Sequence, residues 1–178
     1  MNASVHEEPA ADLEELRHFR DVEAIKQLKA RYCRYLDMKD WAAWRGLFTD
    51  DFVGDTSEAG GRLVTGADAF VQFLIATLGK PARITVHQVH APEIELTSPT
   101  TARGCWALQD VVALAPGLHM VGYGHYHETY EKTDGRWYIK TSKLTRLRED
   151  LHTPIVSVRI PARLRDAAGA AAARRSAR

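Results

Sequence analysis

The chain has 178 residues, 45% apolar and 26% charged, with a formal net charge of +1, the composition of one soluble globular domain large enough for a real core. Near-neutrality leaves no field to hold nucleic acid or an anionic membrane, and no apolar run approaches the ~20 residues of a spanning helix. The opening MNASVHEEPAADLEEL carries no apolar signal-peptide stretch, and two cysteines (Cys33 and Cys105) make no disulfide framework, so a reducing, cytoplasmic setting is expected.

Residues 1 to about 14 are small, acidic and proline-bearing, and read as a flexible leader to a single domain over 15–152. From Leu16 the pattern turns helical, with Val22, Ile25, Leu28, Tyr32 and Leu36 forming one apolar stripe. Asp37 falls in the last turn or just beyond it, where the helix dipole disfavours an acid. Tyr32 and Asp37 lie well apart around a straight helix. They share one pocket only if the helix ends or bends near Leu36. Asp40 reads as the N-cap of a short second helix, WAAWRGLF.

TDDFVGDTSEAGGRLVTG reads as two short strands about a Gly-Gly turn, and Ala67 to Leu78 as a third helix ended by Gly79 and Pro81. ITVHQVHAPEIEL and ARGCWALQDVVAL form a hairpin about Ser98-Pro99-Thr100. On its second strand, period two puts Ala102, Gly104, Trp106, Leu108, Asp110, Val112 and Leu114 on one face. That face is apolar except for Asp110, a carboxylate that is costly to bury unpaired. His87 stands between valines on the first strand. Pro116-Gly117 then leads into HMVGYGHYHETYEK, and Asp134-Gly135 into RWYIKTSKLTRL. On the former strand Gly122, Gly124 and Tyr126 face inward, where glycine leaves room for a flat ligand or eases curvature. Residues 153–178 form an extension: IVSVRIPARL is an extra strand or interface segment, and a low-complexity tail follows from about 166. Helices, short strands, a helix and four long strands predict an α+β fold, a strongly curved antiparallel sheet packed against three helices. Such a cone encloses an apolar cavity suited to a small molecule.

These segments together resemble the SnoaL-like branch of the nuclear-transport-factor-2-like (NTF2-like) superfamily: DVEAIKQLKARYCRYLD, the following W and LFT, HQVHAPEIEL, TARGCWALQD, YEKTDGRWYI and TRLRED. Within it they resemble most the bile-acid 7α-dehydratases and, more distantly, scytalone dehydratase. The likeness spans roughly residues 20 to 150. It implies an α+β barrel, usually a homotrimer, holding a lyase site that needs no cofactor and no metal. Carried over position by position, it implies catalytic roles for Tyr32, Asp37, His87, Asp110 and Arg146. The stretch after His87 and the loop before the fourth long strand differ from that pattern, which bears on the substrate.

Each residue also has a purely structural reading. His87 can be a satisfied strand histidine, Asp37 a solvated helix end, and Tyr32 a core residue bonded to backbone. Asp110 can form a buried ion pair with Arg146, or Arg146 can belong with Lys143 and Arg148 to a solvated strand end. In the functional reading His87 is a general acid/base and Asp37 orients its ring. Tyr32 donates to a substrate oxygen, and Asp110 with Arg146 shapes the pocket. Trp106, Tyr126 and Leu108 are expected to line the substrate surface. The reaction expected is a dehydration of a hydrophobic cyclic carbonyl compound. The alternatives are isomerisation, cyclisation or dehydrochlorination by the same pair, or a non-catalytic pocket for a small hydrophobic molecule. His125, His127 and Glu131 form H-x-H-x-x-x-E, but the flanking glycine and the second histidine motif of a cupin metal site are missing, so no metal is expected.

Overall fold

The computed structural model describes residues 8–159 and residue 161. The predicted low-complexity tail and the start of the leader lie outside the described residues. Helix α1 spans Glu8–Met38, α2 Trp41–Arg45 and α3 Ala67–Leu78. The strands are β1 Phe48–Asp55, β2 Leu63–Thr65, β3 Thr85–Ser98, β4 Thr101–Ala115, β5 Leu118–Thr133, β6 Arg136–His152 and β7 Ser157–Arg159. A single 3-10 turn, Ser57–Ala59, separates β1 from β2.

Six strands lie in the order β2-β1-β6-β5-β4-β3, and β7 adds to β6. All pairs are antiparallel except β1 with β6, so the sheet is mixed rather than purely antiparallel as expected. The parallel pair arises because the meander from β3 to β6 ends alongside the strand that preceded it. The three helices complete the expected α+β fold. No described helix is long and apolar enough to cross a membrane.

The predicted stripe on α1 is the face that packs: Ile25, Leu28, Tyr32 and Leu36 are buried. The helix starts at Glu8, upstream of the expected start at Leu16. There Leu13, Leu16 and Phe19 are exposed. Asp40 caps α2 as expected, its carboxylate accepting from the Ala43 N–H at 3.1 Å. Trp44, Phe48, Phe52 and Phe70 form an aromatic cluster that joins α2, β1 and α3, with Tyr32 and Tyr126 at its margin. Two turns need left-handed backbone, Gly117 (φ 73°) and Asp134-Gly135 (φ 50° and 76°).

Register breaks bend the sheet. One in β3 lies between His90 and Glu93, where Ala91 takes φ 46°. Another falls between Tyr123 and Gly124 in β5, where a Cβ on Gly124 would collide with the Thr145 carbonyl oxygen. Such bulges sharpen local twist and turn one end of a sheet toward its covering helices.

Candidate active site

β3 is the edge strand of the sheet, so one side of it has no strand to satisfy its amides. The C-terminal end of α1 closes that edge. Asp37 Oδ2 accepts the backbone N–H of His87 at 2.8 Å, and Asp37 Oδ1 accepts from the Thr85 hydroxyl at 2.8 Å. The same Oδ1 lies 2.7 Å from His87 Nδ1. Thr85 and His87 share a face by period two, so both reach one carboxylate. Lys39, in left-handed conformation just past α1, donates to Thr85 Oγ1 at 2.7 Å. These donors hold an acid at a helix end that the dipole alone would disfavour. Burial pulls the Lys39 ammonium below its ordinary pKa, and the nearby Asp37 charge partly offsets this.

His87 carries this arrangement into a cavity of about 440 Å³ between α1, α3, the Thr56–Gly61 segment and the inner face of β3 to β6. His87 itself is nearly buried, at 6% side-chain exposure. With Nδ1 committed to Asp37, Nε2 is the ring nitrogen left to act in the cavity. Asp37 stands behind the ring and does not line the cavity. Hence α1 need not bend at Leu36 for Tyr32 and Asp37 to serve one site: Tyr32 lines the cavity directly, and Asp37 acts through His87.

Tyr32 and Tyr126 meet edge to face, with ring centroids 5.8 Å apart. Burial, with Glu128 adding to it for Tyr32 and Tyr32 adding to it for Tyr126, raises both phenols well above their usual pKa. Both therefore stay protonated donors through neutral pH.

Asp110 sits directly across the β3/β4 ladder from His87. It makes a two-pronged ion pair with Arg146, Nη1 to Oδ1 and Nη2 to Oδ2 each at 2.6 Å. Arg146 also lies 3.2 Å from Glu149, and its backbone N–H donates to Glu58. Burial opposes the Arg146 charge, but the hydrogen bonds and charge of Asp110 outweigh it and raise its pKa. The two partners are not on adjacent strands. Asp110 pairs with Gly122 on β5, and Arg146 on β6 pairs with Gly124. Arg146 reaches over β5 because Gly122 has no side chain: a Cβ there would overlap both Arg146 Nη1 and Asp110 Oδ1. Gly122 thus makes room for an ion pair, not for a flat ligand.

Of the expected substrate-lining residues, Tyr126 faces the cavity, but Trp106 and Leu108 do not. Trp106 is buried and donates from Nε1 to the Tyr130 hydroxyl at 2.8 Å, and Leu108 is core. Alternation puts all three on the inner face, but the cavity occupies only the end of that face nearest His87. The walls come instead from α3 (Phe70, Phe73, Leu74, Leu78) and from Val112, Met120 and Leu144.

A second buried polar group escaped the sequence reading. Lys29 and Glu128, both with fully buried side chains, pair at 2.6 Å. Glu128 also accepts from Tyr130 at 2.6 Å and Ser142 at 3.0 Å. The Lys29 ammonium lies 3.5 Å from the Tyr126 ring centroid and 4.1 Å from that of Tyr32. The alternation that flags Asp110 also puts Glu128 inward between Tyr126 and Tyr130. On the outer face, His127 Nε2 lies 3.1 Å from Thr145 Oγ1, and no group of three or more metal-ligating side chains forms among the described residues.

The SnoaL-like domain family matches residues 17–143, and the chain belongs to that family. The Gibberella zeae protein named Probable cyclase FGR4 is 24% identical over 138 residues, covering 69% of this chain and 89% of that protein. A scytalone dehydratase-like protein of Novosphingobium aromaticivorans has a solved structure with a TM-score of 0.67 at 24% identity, over 82% of this chain and 95% of that one. Hexachlorocyclohexane dehydrochlorinase LinA-type3 of Novosphingobium barchaimii gives 0.66 at 16% identity, over 82% and 94%. Both structures share the fold described above.

Proposed function

We propose that this member of the SnoaL-like family is a cofactor-independent lyase, a dehydratase acting on a hydrophobic cyclic substrate that carries a carbonyl conjugated to the leaving site. The observation that carries the reading is the 2.7 Å contact of His87 Nδ1 with Asp37, on a ring whose other side meets an apolar cavity. An apolar binding pocket needs neither group.

His87 Nε2 takes a proton from the carbon that the carbonyl acidifies, directly or through a double bond. The electron pair passes into the carbonyl, and Tyr32 donates a hydrogen bond to the oxygen that gains charge. Asp37 holds the ring in place and stabilises the imidazolium. The electron pair then returns to expel hydroxide, which takes the proton back from His87 and leaves as water. His87 ends neutral, and the product gains one double bond. The Asp110–Arg146 pair, opposite His87 in the ladder, shapes the floor and supplies a fixed field.

A second reading, isomerisation, cyclisation or loss of chloride by the same pair, is favoured by the likeness to proteins named a cyclase and a dehydrochlorinase. Loss of chloride changes only the leaving group; isomerisation and cyclisation expel none, and His87 returns its proton to another carbon or to an oxygen of the same molecule. Resemblance to the SnoaL-like branch implies a homotrimeric assembly, which light scattering would test.

The experiment is a screen of cyclic β-hydroxy carbonyl compounds, steroid and polyketide types included, and of their β-chloro counterparts, for loss of water, isomerisation or chloride release. On an active substrate, His87→Ala should lower turnover at least ~10²-fold, the usual worth of a placed general acid/base. Near-native turnover by this variant overturns the assignment. In nitrogen NMR spectra of the His87 ring, Asp37→Asn should change the tautomer balance by removing the Nδ1 partner; no response favours a non-catalytic pocket.

A further inference from the structure

The cavity has a polarity that the elimination chemistry leaves unused. Its deep end is buried and holds Tyr32, Asp110, Tyr126 and Arg146. Its other end opens at Gly60, Thr77 and Leu114, which are exposed, and there Arg83 enters the wall.

Arg83 differs from the other cation of the cavity. Arg146 is spent on Asp110 and Glu149. The Arg83 side chain has no hydrogen bond or ion pair with any described residue; only its backbone N–H is engaged, with the Lys80 carbonyl. A second guanidinium lies close to the same wall. Arg62 sits 5.0 Å from the ring of Phe73, a cavity residue, and its buried Nε–H meets no acceptor among the described residues. Neither arginine makes an ion pair with any described residue, so two guanidinium charges beside an apolar opening have no counter-charge among the described residues. Arginine's planar fork matches an oxyanion better than any other side chain does.

From this we infer that the rim is an anion subsite: the ligand is amphipathic, with a hydrophobic ring system in the cavity and a carboxylate, sulfate or phosphate held by Arg83 at its mouth, in the field of Arg62. Arg83 precedes His87 by four residues, at most roughly 14 Å of chain. A body of a few fused rings can therefore span from anchored anion to reacting carbon. The anchor sets which end of the substrate enters first, and so which carbon meets His87. The inference rests on the reading of this cavity as the ligand site.

The test uses two probes that differ only in charge, anilinonaphthalene sulfonate and the same fluorophore without its sulfonate, phenylnaphthylamine. Both brighten in apolar surroundings. Thr77→Trp, which fills the exposed end of the cavity, should weaken both. The native protein should hold the sulfonate about tenfold or more tighter, the usual strength of a charge-assisted contact. Arg83→Gln should bring the two to parity by weakening the sulfonate alone, and added salt should narrow the native difference. Equal binding of both probes by the native protein overturns the anion subsite and leaves the cavity standing. So does an equal loss of both in Arg83→Gln. Failure of the sulfonate alone to bind overturns the anion subsite; failure of both probes to bind, or indifference of both to Thr77→Trp, removes the cavity as a ligand site and the inference with it.

Discussion

Replacing Gly122 with alanine separates a local from a tertiary cause. By strand propensity alone alanine should stabilise, by about 0.5–1 kcal/mol over glycine. The structure predicts the opposite. The new Cβ would overlap Arg146 Nη1 and Asp110 Oδ1 and stand 2.6 Å from Arg146 Cζ. Rotating the guanidinium away breaks a two-pronged pair whose side chains are 2% and 4% exposed. Losing such a buried pair costs about 3–5 kcal/mol. Net of propensity, a loss of about 3 kcal/mol is expected. For a chain of this size that lowers the melting temperature by about 6–12 °C. Thermal and urea denaturation followed by circular dichroism would measure it. The control is the same substitution in an Asp110→Ala/Arg146→Ala background, where the space is free and the cost should fall below about 1 kcal/mol. A native-background loss below about 1 kcal/mol, or equal losses in both backgrounds, would refute the explanation of Gly122.

Three further outcomes follow from buried groups outside the ring pair. Lys29→Met leaves the buried Glu128 carboxyl without its cation, held only by Tyr130 and Ser142, and should cost about 3–5 kcal/mol; adding Glu128→Gln should recover part of it, and denaturation midpoints would check both. Trp106→Phe should cost about 1 kcal/mol by freeing the Tyr130 hydroxyl, with turnover unchanged because Trp106 does not line the cavity; a large turnover loss would return it to the site. Burial raises the phenols of Tyr32, Tyr126 and Tyr130 well above their ordinary 10.0, so the unfolded chain releases these protons first. Stability should be intact below about pH 10 and fall above it by about 1.4 kcal/mol per pH unit for each such phenol. In an ultraviolet titration these three of the six tyrosines should ionise only on unfolding; six ordinary titrations would contradict the burial.

Much of the molecule was legible before folding because its signals are periodic and short-ranged. The three- and four-residue steps of Ile25, Leu28, Tyr32 and Leu36 mark the face of α1 that packs, and alternation along β4 and β5 turns Asp110 and Tyr126 inward. Gly79, Gly117 and Asp134-Gly135 end elements where glycine or left-handed backbone is required. Resemblance to a family, rather than periodicity, joined Asp37 to His87 across 50 residues of chain.

What tertiary structure alone decided is which groups meet. Asp37 reaches His87 because a helix end closes an edge strand whose amides need an acceptor, and no local pattern encodes that closure. Trp106 and Leu108 point to the correct face yet miss the cavity, because alternation chooses a side of the sheet and not a place along it. The sheet is mixed because β6 returns beside β1, and Arg146 finds Asp110 two strands away only because β5 offers a glycine between them. Each of these depends on packing between segments distant in the chain. A side chain's own neighbours set its direction, and the rest of the fold sets its partner.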